Sequence, residues 1–183
     1  ELGKPEEAIR AFEMALSMKP DYLAASSNLL FIISIEKHKS PEIYLEAAKQ
    51  FNEITTRKRK FVFPHNERKA VSERIKIGFV SADLKDHPIG YFSESLFANL
   101  DKNIFEICVF SNLVKPTEQT DLLKTHVAEW ASIPSMTDVD AAKCIFAKSI
   151  DVLIDLSGHT AGNRLPVFAY RPAPVQATYL GWF

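Results

Sequence analysis

From Arg74 onward the sequence changes its period, and that change limits the fold more than any other feature. Short runs rich in β-branched and aromatic residues alternate with stretches of helical periodicity. The runs are RIKIGFVSA (74–82), FEICVFS (105–111), WASIP (130–134), IDVLIDL (150–156) and VQATYLGW (175–182). Between them lie YFSESLFANL (91–100), TEQTDLLKTHVAEW (117–130), DVDAAKCIFAKS (138–149) and the shorter NRLPVFAY (163–170). Strands separated by helices of about ten residues make βαβ units, hence a parallel sheet. Apolar runs such as IDVLI fit a sheet covered on both faces. The expected fold is therefore α/β, with a Rossmann-like parallel sheet.

The residues before Arg74 read as helices. In PEEAIRAFEMALSMK (5–19), Pro5 suits a first helical turn and Glu6 and Glu7 favour a helix N-terminus. Ala8, Ile9, Phe12, Ala15 and Leu16 fall on one face. Ala8, Phe12, Ala15 and Pro20 also fit the second half of a tetratricopeptide repeat, with an ordinary amphipathic helix as the alternative. YLAASSNLLFIISIE (22–36) predicts a second, more apolar helix. Ser40-Pro41-Glu42 opens a third, with Ser40 as N-cap, running to about Arg59. Its basic end, TTRKRK, reads either as a phosphate- or nucleic-acid-binding patch or, more often for such a cluster, as a solvated helix terminus. The expected division is 1–60 for repeat-like and connecting helices, 61–73 for a linker, and 74–183 for the sheet domain.

Net charge is -1, which gives no global pull toward nucleic acid or membrane. No run approaches the ~18 apolar residues of a membrane span. The first residues, ELGKPEEAIR, lack the basic and apolar regions of a signal peptide. Cys108 and Cys144 sit in apolar periodic segments, as buried free thiols of a reducing, cytoplasmic protein would. The chain lacks an initiating Met and stops on LGWF, so it is expected to be a piece of a longer protein.

In an open α/β sheet, ligands bind beyond the C-terminal strand ends, where the strand order reverses. With the common order 3-2-1-4-5, the first and fourth strands are neighbours there. The loop after the first is SADLKDHPIG and the loop after the fourth is SGHTAGN. These two imidazole-bearing loops then face one crevice. His87 reads as a general acid/base or hydrogen-bond donor, or as an idle surface histidine. Asp86 and Pro88 flank it, and Pro88 and Gly90 fix the loop backbone. Ser157, Gly158, His159 and Thr160 read as a close-approach ligand loop, or as a tight turn capped by Thr160 or Asn163. Arg164 and Arg171 suit either a phosphate or a surface salt bridge. His38, His65 and His126 receive no role. No G-x-G-x-x-G follows the first strand and no Walker-type loop occurs, which argues against dinucleotides and P-loop chemistry. The cysteine and histidine spacings support no metal site.

The stretches RIKIGFVSADLKDHPIGYF and IDVLIDLSGHTAGNRLPVFAYRPAPVQATYLGW strongly resemble the O-linked N-acetylglucosamine transferase/SPINDLY family. SNLLFIISI resembles the segment joining repeats to catalytic region in bacterial members. The resemblance implies a tetratricopeptide superhelix followed by a two-domain glycosyltransferase of GT-B type. Such enzymes transfer a sugar from UDP-N-acetylglucosamine or GDP-fucose to protein Ser or Thr, inverting the anomeric carbon, with neither metal nor other cofactor. The chain would hold the last repeat helices and the N-terminal half. The missing C-terminal half would bring most nucleotide contacts, so the fragment alone is expected to be inactive. Protein acceptors would be recognised by the repeats. His87 matches the family's active-site histidine, and Ser157, Gly158, His159 and Thr160 match a cleft-lining loop. Asp86, Pro88 and Arg164 are counted with that cleft. Some animal members carry Tyr where His159 stands, which ranks His159 below His87. LGWF departs from the family's usual LGYPGT. The competing reading is a repeat-type interaction scaffold with a non-catalytic Rossmann-like domain.

Overall fold

The computed structural model describes residues 3–36, 40–65 and 73–181. Two compact units divide the chain, one ending at Lys60 and the other spanning Phe61–Gly181. The first contains three helices: α1 (Pro5–Met18), α2 (Leu23–Ile35) and α3 (Pro41–Lys58). Its core is a single cluster around Ile9, Leu16, Leu29, Leu30, Ile33 and Ala47. α2 is buried on several sides, which accounts for its nearly uniform apolar sequence. Ser40 occupies the N-cap of α3, as expected, but its hydroxyl makes no cap bond to the backbone. It is instead hydrogen-bonded to Glu42, whose carboxyl is held below the usual carboxylate range chiefly by that bond.

The second unit is a five-stranded parallel sheet with order β3-β2-β1-β4-β5. The strands are β1 (Ile75–Ser81), β2 (Phe105–Ser111), β3 (Glu129–Ser132), β4 (Val152–Asp155) and β5 (Val175–Thr178). The helices are α4 (Pro88–Asn99), α5 (Glu118–Lys124), α6 (Asp138–Ala147) and the short α7 (Leu165–Ala169). Alternate strand residues serve opposite faces. Val80, Cys108, Phe110 and Leu153 meet α6 and α7 through Ala141, Ala142, Ile145 and Val167. Phe79, Ile107 and Val109 meet α4 and α5 through Ile89, Phe97 and Leu123. Phe79, Phe97 and Phe110 are fully buried, each contributing roughly 1.5–3 kcal/mol relative to exposure. The expected strand order is the observed one, so β1 and β4 are neighbours at its reversal.

Several boundaries differ from the sequence reading. The helix expected over 117–130 stops at Lys124, because Ala128 turns its amide to the Ile107 carbonyl and β3 begins at Glu129. Pairing with β2 overrides the helical periodicity there. The strand expected to reach Trp182 ends at Thr178, and Leu180 has a positive φ of 59°. The stretch 61–65, read as linker, lies in the sheet unit. Phe63 stacks on Phe146 at 4.1 Å and donates its amide to the Tyr170 carbonyl. The rest of that stretch from 66 to 72, His38, and the final Trp182-Phe183 lie outside the described residues.

Candidate functional site

The loop after β1 is built from its own short-range chemistry. The Ser81 hydroxyl accepts the Asp83 amide at 2.9 Å, and the chain then folds back on α4. A Cβ on Gly90 would lie 2.0 Å from the Lys85 carbonyl oxygen, so this fold-back admits only glycine. Thr120 of α5 and Thr117 at its N-cap fix the loop from outside: Thr120 Oγ1 donates to the Leu84 carbonyl at 2.8 Å, and Thr117 Oγ1 accepts the Asp86 amide at 3.2 Å. His87 is the N-cap of α4, with Pro88 at the first helical position. Its Nδ1 accepts the Ile89 amide at 3.2 Å. A ring nitrogen that accepts an N–H carries no proton, so the neutral ring holds its proton on Nε2. His87 is half-buried, with Asp86 and Pro88 exposed on either side.

The loop after β4 is built around a buried carboxylate. Asp155, 1% exposed, ends β4 opposite Val80 of β1. Its Oδ1 accepts the Ser157 amide at 3.2 Å, and its Oδ2 accepts the Gly158 amide at 2.7 Å and the Thr178 hydroxyl at 3.3 Å. Gly158 sits at φ +56°, and a Cβ on Gly181 would be 2.4 Å from its nitrogen. Thr160 Oγ1 donates to the Ser157 carbonyl at 2.7 Å, and Asn163 Oδ1 accepts the Leu165 amide at 3.3 Å. The Ser157 hydroxyl is buried and finds no hydrogen-bond partner among the described residues. Burial drives the His159 imidazole down to about 4, so it is uncharged near neutrality. Burial also pushes the Asp155 carboxyl up to about 6, against the opposing pull of its three donors.

The two loops touch. Gly162, at φ +78°, passes so near Ala82 that a Cβ would come within 2.9 Å of the alanine methyl, and Asn112 after β2 holds the Gly162 carbonyl at 2.8 Å. The structure thus gathers Asp86–Pro88 and Ser157–Thr160 on two loops joined at the Ala82–Gly162 contact. Arg164 is placed differently. Its guanidinium donates to Asn112 Oδ1 and to the carbonyls of Ile133 and Met136, and pairs with Asp138 at 3.0 Å. That last approach is a charge contact rather than an aligned hydrogen bond, since Nε lacks one. Arg164 therefore ties the β4 loop to the ends of β2 and β3. Sequence reading passed over Asp155; the signal available was a carboxylate closing an apolar strand two and three residues before Ser157 and Gly158. Among the described residues no group of three or more His, Cys, Asp or Glu is placed to hold a metal ion, and no helix is long and apolar enough to cross a membrane.

Residues 39–183 match the model of glycosyl transferase family 41. The rice (Oryza sativa subsp. japonica) protein named "Probable UDP-N-acetylglucosamine--peptide N-acetylglucosaminyltransferase SPINDLY" is 29% identical over 182 residues, which cover 95% of this chain and 19% of the relative. A protein of the same name from Solanum lycopersicum is 34% identical over 117 residues, 61% of this chain and 13% of the relative. The solved structure of a Thermobaculum terrenum O-GlcNAc transferase mutant is similar with a TM-score of 0.85 and 31% identity, over 97% of this chain and 34% of that one. The chain thus spans between 13% and 34% of the length of these proteins.

Proposed function

Since the chain belongs to glycosyl transferase family 41, we propose that it forms one wall of the transfer site of a protein O-glycosyltransferase. The reaction moves N-acetylglucosamine from UDP-N-acetylglucosamine to a peptide, the donor and acceptor class in the names of its relatives, and in this reading the acceptor atoms are Ser or Thr hydroxyls. The observation that carries this reading is the family match over 39–183, which takes in both crevice loops. The acceptor oxygen forms its bond to the anomeric carbon as the bond to the diphosphate breaks, and UDP departs, the hydroxyl proton passing to the departing diphosphate. The proposed chemistry needs the acceptor oriented and the leaving charge stabilised, without metal or organic cofactor.

His87 contributes as an orienting group in this reading. Its Nδ1 is engaged by the Ile89 amide, so Nε2 presents a proton and donates a hydrogen bond. Acting as a base at Nε2 would require the other tautomer and the loss of the helix cap. Ser157, Gly158, His159 and Thr160 line the opposite side, with His159 neutral. The helical unit serves acceptor recognition as the end of a tetratricopeptide array. The buried Cys108 thiol, pushed up to about 11 by desolvation, suits a reducing cytoplasm. In this reading the remaining donor contacts come from parts of these relatives that the chain does not span, and the isolated chain is expected not to turn over.

A transfer assay on the full-length protein containing this sequence tests the reading, with a Ser/Thr peptide and labelled UDP-N-acetylglucosamine or GDP-fucose. Transfer from the first donor is expected. Transfer from GDP-fucose alone would reassign the donor, and transfer from neither would sink the reading. Transfer by the isolated chain would overturn its assignment as a single wall of the site.

A further inference from the structure

We propose that Asp155 is a positioning residue of the transfer site: its buried carboxylate sets the Ser157–Gly158 turn and thereby fixes the cleft-lining loop against the His87 loop. The inference rests on the transferase reading above. Asp155 does not reach the crevice itself, being 1% exposed, so it acts through the backbone it holds. Three donors converge on its two oxygens: the Ser157 amide, the Gly158 amide and the Thr178 hydroxyl. Two are consecutive backbone amides, so the carboxylate dictates the direction in which the chain leaves β4. The third belongs to β5, which locks the turn to the neighbouring strand. From the other side Gly181 presses on the Gly158 backbone, where no side chain fits. The turn is thus clamped between a carboxylate and a glycine, and its far end rests on Ala82 and Asn112.

An aspartate is an expensive choice for a purely structural turn. Burying a carboxylate carries a desolvation penalty that its hydrogen bonds only partly offset, which is why its proton affinity rises. A neutral amide would avoid that penalty but offers only one acceptor oxygen, with an NH2 group facing one of the two amides. The ionised carboxylate alone accepts from both. Titratable or charged groups on the flanking loops are His159 and Arg164 after β4, Tyr179 after β5, and Asp83, Lys85, Asp86 and His87 after β1, and none of them figures among the causes of the Asp155 shift. Protonation near pH 6 therefore follows Asp155's own burial, and it removes acceptor capacity from the turn.

The test compares wild type and Asp155→Asn in the full-length protein. Activity is read with UDP-N-acetylglucosamine and a peptide acceptor, the fold by thermal unfolding, and the loop by amide hydrogen exchange. The expected variant unfolds no earlier than wild type, exchanges its 157 and 158 amides faster, and loses kcat on the order of 100-fold with donor KM unchanged, as misplacement of a positioning loop does. The wild-type kcat falls on the acid side with a midpoint near pH 6, and the variant lacks that limb. A variant with wild-type kcat and amide protection overturns the proposal and leaves the transferase reading standing. A wild-type protein that transfers no sugar overturns the reading, and the proposal falls with it. Should Asp155→Asn fail to fold, Thr178→Val substitutes for it: it removes one donor, and an unchanged kcat together with a flat wild-type profile from pH 5 to 8 overturns the proposal.

Discussion

The two loops that meet at Ala82 and Gly162 are braced by different mixtures of near and distant partners. The segment around His87 in the β1 loop is capped by neighbours in sequence, Ser81 on Asp83 and His87 on Ile89, while Thr117 and Thr120 tie Asp86 and Leu84 from outside. The β4 loop combines local bonds from Asp155, Thr160 and Asn163 with distant contacts from Thr178 at the end of β5, from Gly181 beyond it, and from Asn112. Short-range scaffolding keeps a side chain in one orientation with little help from the rest of the fold. Long-range clamping makes a loop's shape depend on the sheet being assembled. His87 itself is thus held by a cap two residues long, whereas the Ser157–Gly158 turn also depends on Thr178 and Gly181 and on a buried carboxylate.

The largest expected effect breaks the β1 loop. Gly90→Ala forces a methyl to within 2.0 Å of a backbone oxygen that has no side-chain freedom with which to yield. A loss of about 3 kcal/mol is expected in denaturant unfolding, as for other overpacked sites. A change below about 0.5 kcal/mol, the usual surface range, would show that the β1 loop adapts and would erase the contrast between the loops.

The next effect acts on the clamped loop through pH. The Asp155 carboxyl is raised in the folded chain from the ordinary 3.8 to about 6, so the folded state binds its proton more tightly than the unfolded one. Its contribution to stability is complete below 3.8 and is lost as pH rises through about 6. Between pH 4 and 7 the unfolding free energy of the chain should fall by roughly 2–3 kcal/mol from this group, at 1.36 kcal/mol per unit. Asp155→Asn flattens that part of the curve and is the more stable protein at pH 7. A wild-type curve whose slope over this window survives the substitution would assign it to other groups.

Legibility followed the same division. The alternation of periods after Arg74 was enough for a parallel sheet, and a common strand order then placed β1 beside β4. The His87 cap and the fold-back at Gly90 lie within a dozen residues, so Pro88 and Gly90 announced a rigid loop. The role of Asp155 was hidden because two of the groups that define it, Thr178 and Gly181, sit more than 20 residues away and matter only once β5 pairs with β4. Arg164 was hidden likewise: its partners Asn112, Ile133, Met136 and Asp138 come from the residues after β2 and β3 and from the start of α6. The end of α5 was lost to the same cause, since only the pairing of β3 with β2 stops a helix that the residues would extend.

A smaller effect probes the contact between the loops. Gly162→Ala places a methyl 2.9 Å from the Ala82 methyl at a backbone φ of +78°. Left-handed backbone costs an L-residue about 1–2 kcal/mol, and the two methyls must also separate. An unfolding loss of about 1.5 kcal/mol is expected, with faster amide exchange in 157–163 and little change in 82–90. Equal changes in both segments would mean that the β1 loop is no more self-supporting than the β4 loop.

The smallest effect separates scaffold from chemistry within the β1 loop. His87→Ala removes the acceptor that caps α4, and cap loss costs about 1 kcal/mol. Asparagine is a strong N-cap residue whose Oδ1 can take the place of Nδ1 on the Ile89 amide, so His87→Asn should recover nearly all of that stability. It has no group where imidazole carries Nε2–H, so sugar transfer by the full-length His87→Asn protein should stay as low as with alanine. If asparagine restores stability and transfer together, His87 is a helix cap and nothing more. If it restores stability alone, the cap is the means by which the loop holds one ring nitrogen still so that the other can donate to the substrate.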